Sequence, residues 1–291
     1  MEVGRYRQDD FFALFHILLH GSDMGSHEHF GRLYDTPDER NVVRYLMSDT
    51  RNPASLLSSL SLARENARTI REIMPNVAFE YANELYLYGK EHISGSLSRS
   101  RASETMNNVM RRVQHIAGFL AGTMMHGDTW HFLRIGESLE RADMTTRIID
   151  VRSVDMLESA ADLAPYRQLQ WRSVLRSLHT MQSYRLAVQE PITQPLVLEF
   201  LFKNPQLPRS LAYCLNRIRV SLRGLPRNDK PLNAINRVIR ALGQTDVKTL
   251  DGNGLHGFID TLQLQFAELH EVIDRNYFHA RLRVARPRRA S

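Results

Sequence analysis

Apolar residues along this chain recur at steps of three and four, and alternating apolar–polar runs bounded by turns are scarce. That spacing gathers the apolar side chains on one face of a 3.6-residue helix and argues against strands. The clearest stripe follows Asp128: Phe132, Ile135, Leu139, Ala142, Thr146 and Ile149 step by 3, 4, 3, 4 and 3. It predicts a helix of about six turns from Asp128 to Val151. Asp128 is a candidate N-cap, because its carboxylate can accept the free amides of a first turn. The fold class is all-α, with long helices packed as antiparallel bundles joined by short loops.

The pattern also repeats. Asn41 to Arg68 aligns without gaps to Leu196 to Arg223, an offset of 155 residues, with eight of 28 positions identical. The identities include Pro53/Pro208, Ser55/Ser210, Leu56/Leu211, Leu60/Leu215, Arg64/Arg219 and Arg68/Arg223. In both stretches a short helix is expected to end, a polar turn to follow, and a helix to begin at the proline, where a missing N–H costs nothing. The same offset pairs the turn-rich segment around Ser94 to Ser103 with Thr249 to Gly257, and His115 with His270. The chain therefore reads as an internal duplication. Residues 1–127 form a first helical unit, 128–280 a second, and 281–291 a basic tail.

Composition narrows the class without naming a chemistry. Apolar residues make up 43% and charged residues 24%, the balance of a globular protein able to bury a large core. The nearly apolar run Ile116 to Met125 is half the length of a membrane span. The opening MEVGRYRQDD lacks the form of a secretory signal, and the single cysteine, Cys214, fits a reducing compartment. A cytoplasmic location is expected. The net charge of +6 is uneven. Nine Lys or Arg residues and one acid, Asp229, lie between Leu201 and Arg240, and five arginines without an acid lie from Arg281 onward. A basic segment over 203–240 with a basic tail is a candidate polyanion surface, but no aromatic or glycine-containing nucleic-acid motif accompanies it. The bland reading is a solvated helix face and a disordered tail, and deleting residues 285–291 should then leave the melting temperature unchanged.

Candidate chemistry concentrates on the helix from Asp128. Arg134, Glu137, Glu140, Arg141, Asp143 and Arg147 lie off its apolar stripe, with Glu137/Arg141 and Asp143/Arg147 four apart on common faces. Arg64, Glu65 and Arg68 form a second group on the helix after Pro53. Exposed, such pairs are structural decoration; buried, they fix helix register or present guanidinium forks to an anion. Glu140, Arg141, Asp143 and Arg147 are expected to converge with Arg64, Glu65 and Arg68 into one cluster between the two long helices. His126/Asp128/His131 and His27/Glu28/His29 lack an HExxH spacing, and His16/His20, four apart, sit among apolar residues, so no metal is expected. Cys214 sits on an apolar helix face as a small buried residue. No glycine-rich phosphate loop of nucleotide-binding type occurs, and no cofactor is implied.

The segments HGDTWHFLRIGESLERADMTTRIIDVR, Asn52-Pro53 with SLARENARTIRE, and LPRSLAYCL resemble the alpha-E family, a bacterial all-helical family named for a Glu-Arg pair, matched here by Glu140-Arg141. The resemblance covers nearly the whole chain. It implies partners, an ATP-grasp type ligase protein and a transglutaminase-like cysteine protease, and a role near amide-bond or peptide metabolism with no reaction assigned. Family members open with a helix carrying a first Glu-Arg motif, which this chain does not have. The 155-residue offset would place the counterpart of the Asp128 helix ahead of Met1, so an N-terminal helix is expected to be missing and the first unit to expose an apolar groove. Three readings remain. The first is an accessory partner of the ligase system, the second an enzyme using Glu137, Glu140 or Asp143 as acid or base, and the third a polyanion-binding protein.

Overall fold

The structure is a computed structural model that describes residues 27–93, 99–157 and 167–278. The basic tail, His16, His20 and the segment 94–98 lie outside the described residues. Those residues fold into α1 (His27–Leu33), α2 (Glu39–Met47), α3 (Leu56–Thr69), α4 (Asn76–His92), α5 (Arg99–Thr123), α6 (Asp128–Leu157), α7 (Arg167–Ser177), α8 (Met181–Ala187), α9 (Gln194–Lys203), α10 (Leu211–Arg223), α11 (Asp229–Gln244) and α12 (Gly252–Tyr277). A single 3₁₀ turn, Val247–Thr249, precedes α12, and the described residues contain no strand. None of the described helices is long and apolar enough to cross a membrane.

Apolar side chains gather in two clusters. One joins Leu56 and Leu60 of α3, Leu85 of α4 and Met106, Val109, Val113 and Ile116 of α5, and is closed by Trp130 from the start of α6. The other joins Ile135, Ala142 and Ile149 of α6 to the buried faces of α7, α9, α10, α11 and α12. Helix α6 is thus shared: Trp130 and Leu133 face the first cluster, and Phe132, Ile135, Leu139, Ala142, Ile148 and Ile149 face the second. Four of the six stripe positions, Ile135, Ala142, Thr146 and Ile149, are buried, and the other two are partly so.

The turns before α3 and α10 follow one local logic. Asp49 and Asn204 each accept a backbone N–H two residues on, at 3.0 and 2.8 Å, so a short polar side chain reverses the chain after the preceding helix. The helices then start at a serine rather than at the proline. Ser55 Oγ accepts the N–H of Ser58 at 3.2 Å, and Ser210 Oγ that of Tyr213 at 3.1 Å. Pro53 and Pro208 sit two residues earlier, where their fixed φ shapes the turn, while the hydroxyls satisfy first-turn amides that a proline cannot. Asp128 likewise stands inside the first turn of α6 and not at its cap, with the residue-131 amide bonded to the Gly127 carbonyl at 3.1 Å.

The apolar groove expected on the first unit does not emerge among the described residues. Its exposed large apolar side chains, Ile73, Val77, Leu87 and Met125, are spread over α4 and the ends of α3 and α5.

Candidate functional site

The charged residues of α6 fall into two arrangements set by the helix's neighbours. Helix α6 packs along α10 and α12, so the side that carries Arg134, Glu137 and Arg141 is covered and the side that carries Arg147 is not. Glu137 takes an ion pair from Arg134 on one side and from Arg141, at 2.7 Å, on the other. Its side chain is 11% exposed and those of the arginines 16% and 17%, so all three charges are largely withdrawn from water. Burial pulls the Arg134 guanidinium below its ordinary value, and the Glu137 charge pushes back. The Arg134 guanidinium also lies 5.3 Å from the centre of the Trp130 ring, on which His126 stacks at 4.3 Å.

The floor of this seam is the start of α10. Thr145 Oγ1 donates within α6 to the Arg141 carbonyl at 2.8 Å and lies 3.1 Å from the Arg209 carbonyl just ahead of α10. Cys214 is buried beneath, its Sγ 3.4 Å from the Pro208 carbonyl. Burial pushes its thiol up to about 12, with the Arg141 and Arg209 charges opposing. A thiol held that high is a packing group and not a nucleophile. At the other end, a Cβ on Gly224 would come within 2.4 Å of His131 Nε2, so the glycine ending α10 lets the first turn of α6 close on it.

Glu140 and Asp143 occupy a different side. Asp143 accepts from Arg147 Nε at 2.6 Å, with Arg147 56% exposed. Glu140 has one carboxyl oxygen closed off from solvent. Burial, reinforced by the Asp143 charge and opposed by Arg147, pushes its carboxyl up to about 8.

The two groups expected to converge do not. Arg64 Nε donates to Asn83 of α4 at 2.6 Å, and its guanidinium lies over Tyr86. Arg68 pairs with Glu65, both half exposed. All of these contacts stay within α3 and α4, because α3 packs on α4 while α6 packs on α10 and α12. The partner that sequence reasoning missed is therefore α10 itself, with Thr145, Arg209 and Cys214 in the seam.

A second group also escaped notice. His256 Nδ1 lies 2.7 Å from Asp150 Oδ1, and its Nε2 is 3.6 Å from Asp260 Oδ2, tying α12 to α6. Their ligand atoms lie within 4.8 Å of one another, the spacing of a possible cation site. The hydrogen bond to Asp150 and the charges of both carboxylates raise the pKa of the ring. His256 and Asp260 are four apart and could have been paired from sequence; Asp150, 106 residues earlier, could not. Of the histidines considered from sequence, His29 hydrogen-bonds the Tyr45 hydroxyl at 2.8 Å, and His126 and His131 pack as described.

The Alpha-E family model, a predicted alpha-helical domain with a conserved ER motif, matches residues 16–278. The chain is also similar to an uncharacterised protein of Mycobacterium bovis and to two of Mycobacterium tuberculosis. Each is 23% identical over 259 residues, covering 84% of this chain and 29% of the relative. The chain thus spans under a third of the length of these curated relatives. No solved structure matches.

Proposed function

This chain belongs to the Alpha-E family, and we propose that it is a non-catalytic accessory or binding partner of an ATP-grasp type amide-ligase system, working beside a transglutaminase-like protease. The observation that carries the non-catalytic part is Glu137. A general acid or base must reach a substrate proton, and this carboxylate is buried in a helix seam with a guanidinium on each side. The Glu-Arg helix then sets the register of the fold, and function passes to the surfaces that the fold displays. The ligase and protease come from the resemblance of the Asp128 helix and the Pro53 and Pro208 segments to the family. Co-purification of this chain with an ATP-grasp type ligase protein of the kind the resemblance implies, followed by an amide-ligation assay with and without this chain, tests the reading. It fails if the two proteins do not associate and ligation is indifferent to this chain.

The contacts also favour an internally duplicated, antiparallel arrangement, with units at 1–127 and 128–280. The start of α6 meets the end of α10, its middle meets the start of α10, and both Pro-preceded helices are capped by aligned serines.

One observation favours the enzyme reading. Glu140, at about 8, holds a proton in the range where a general acid operates. A reaction in the ligase assay that this chain performs alone, and that Glu140→Gln abolishes, would replace the accessory reading.

A further inference from the structure

On the outer side of α10 and α11 the surface opens into a groove of about 590 Å³, within the ~300–1,000 Å³ of small-ligand clefts. It is lined by Arg219 from α10 and by Asn233, Asn236, Arg237, Ile239 and Arg240 from α11. Every liner but Ile239 presents N–H donors. The spacing of 233, 236, 237 and 240 puts four polar side chains on one helical face, and Arg219 reaches it from the neighbouring helix.

The charges in this groove are not balanced from within. Arg237 is paired with Glu268 of α12 at 2.7 Å. Arg219 gives one N–H to the uncharged Asn216 amide oxygen at 2.7 Å, while its Nε is buried without a protein acceptor. Arg240 makes no ion pair among the described residues. The aligned arginine of the first unit shows what a structural role looks like. Arg64 sends its Nε to Asn83 on the adjacent helix, 2.6 Å away. At the position aligned with Asn83, 155 residues on, stands Val238, which is buried and cannot accept a hydrogen bond. One arginine is satisfied by its neighbour helix. The other keeps its Nε buried without a protein acceptor, and its side chain lines the groove.

Two uncompensated guanidiniums beside two side-chain amides match a compact dianion with several acceptor oxygens. A phosphate monoester carries about −1.5 to −2 at pH 7 and three strong acceptor oxygens, and guanidinium forks engage it two bonds at a time. A lone carboxylate would leave one charge unmet. A single nucleic-acid strand would look for aromatic platforms, and no aromatic lines this groove. We propose that the α10–α11 groove is a binding site for a phosphate group of a small ligand, one site per chain. The inference stands apart from the accessory reading, since the groove can bind phosphate whether or not a ligase partner exists.

The test is calorimetric titration of the full chain at constant ionic strength with inorganic phosphate, glycerol 3-phosphate and succinate. Saturable one-to-one binding of either phosphate compound, with succinate at least about tenfold weaker, is expected; the stronger phosphate arm separates free phosphate from a monoester. R219Q and R240Q should each weaken binding about tenfold or more without lowering the melting temperature. R237Q should weaken it less, because Glu268 already offsets that charge. Equal binding of succinate, no saturation by either phosphate compound up to about 10 mM, or unchanged binding in the R219Q/R240Q double variant overturns the proposal. So does tighter binding of a single-stranded oligonucleotide whose affinity falls steeply with salt, which would mark an extended polyanion surface.

Discussion

Helices α3 and α10 are buried in one register and yet are built for different neighbourhoods. On α10 the buried residues are Leu211, Cys214, Leu215, Ile218, Ser221 and Leu222; on α3 they are Leu56, Ser59, Leu60, Ala63 and Ala67. At the 155-residue offset these coincide, with Asn66 partly buried opposite Ser221. The side chains shrink, however: Ile218 faces Ala63 in the alignment, and Leu222 faces Ala67. Helix α10 packs between α6 and α11, and α3 packs mainly on α4. Periodicity decides which face turns inward. How large the side chains on that face must be depends on how many helices it meets. The charges divide the same way. Glu137 on α6 is buried between two arginines, whereas Glu65 on α3 shares one arginine in water.

The sharpest way to break this comparison is Glu137→Ala. It strands two largely buried guanidiniums, and removing one member of a buried ionic group costs about 3–5 kcal/mol. Chemical denaturation of the variant should show a loss near 4 kcal/mol, of that order. A loss under about 1 kcal/mol would return α6 to the solvated-face reading. Next comes Ile218→Ala, which gives α10 the residue that α3 carries. In the three-helix environment it should leave a cavity and cost about 3 kcal/mol. If instead it costs no more than a surface change, α10 is packed as loosely as α3 and the contrast dissolves.

The all-helical class, the α6 stripe and the paired turns were legible because they rest on local spacing and short-range hydrogen bonds. The charged side chains of α6 were legible as candidates for the same reason. Which helix they face was not, since an apolar stripe says only that a helix is covered. Arg64 and Arg219 show the limit most plainly. The two are identical in the alignment, but their fates are set by Asn83 and Val238 on other helices. The start of each Pro-preceded helix was misplaced by three residues, because a serine hydroxyl outcompetes a proline for the capping role. Asp150 with His256 was invisible until the chain brought the two together.

A third experiment separates the two sides of α6. The Glu140 carboxyl has a folded value near 8 against an ordinary 4.5. Between these values the folded protein binds a proton that the unfolded chain has released, so stability falls as pH rises through that window. Glu140→Gln removes the ionisable group, and should match the native protein near pH 5 but exceed it at pH 8 by roughly 1–3 kcal/mol. Parallel curves at the two pH values would mean that the carboxyl is solvated. His256 gives a weaker effect. Its raised value means that its link to Asp150 and Asp260 is fully present below an ordinary histidine pKa and is lost as pH rises through the folded one. The difference in melting temperature between the native protein and His256→Gln should therefore shrink toward alkaline pH, and a constant difference would make His256 a packing residue.

The smallest effect is expected at Arg68, and its smallness is what the comparison needs. Arg68 and Glu65 are three apart on α3, with side chains 59% and 49% exposed. In that setting water screens the attraction, and holding two long side chains in one geometry uses up most of what remains. The pair raises the Arg68 value and lowers that of Glu65, directions that a solvated ion pair produces without help from burial. The aligned positions are Val220 and Arg223, so α10 carries the arginine with no acid beside it and folds in the same register. Arg68→Ala should accordingly leave the melting temperature unchanged at both low and high salt. A fall of several degrees that salt abolishes would show that this face of α3 is covered in the whole chain by an acidic surface. The contrast between a buried α6 pair and a free α3 pair would then reduce to one buried pair in each half.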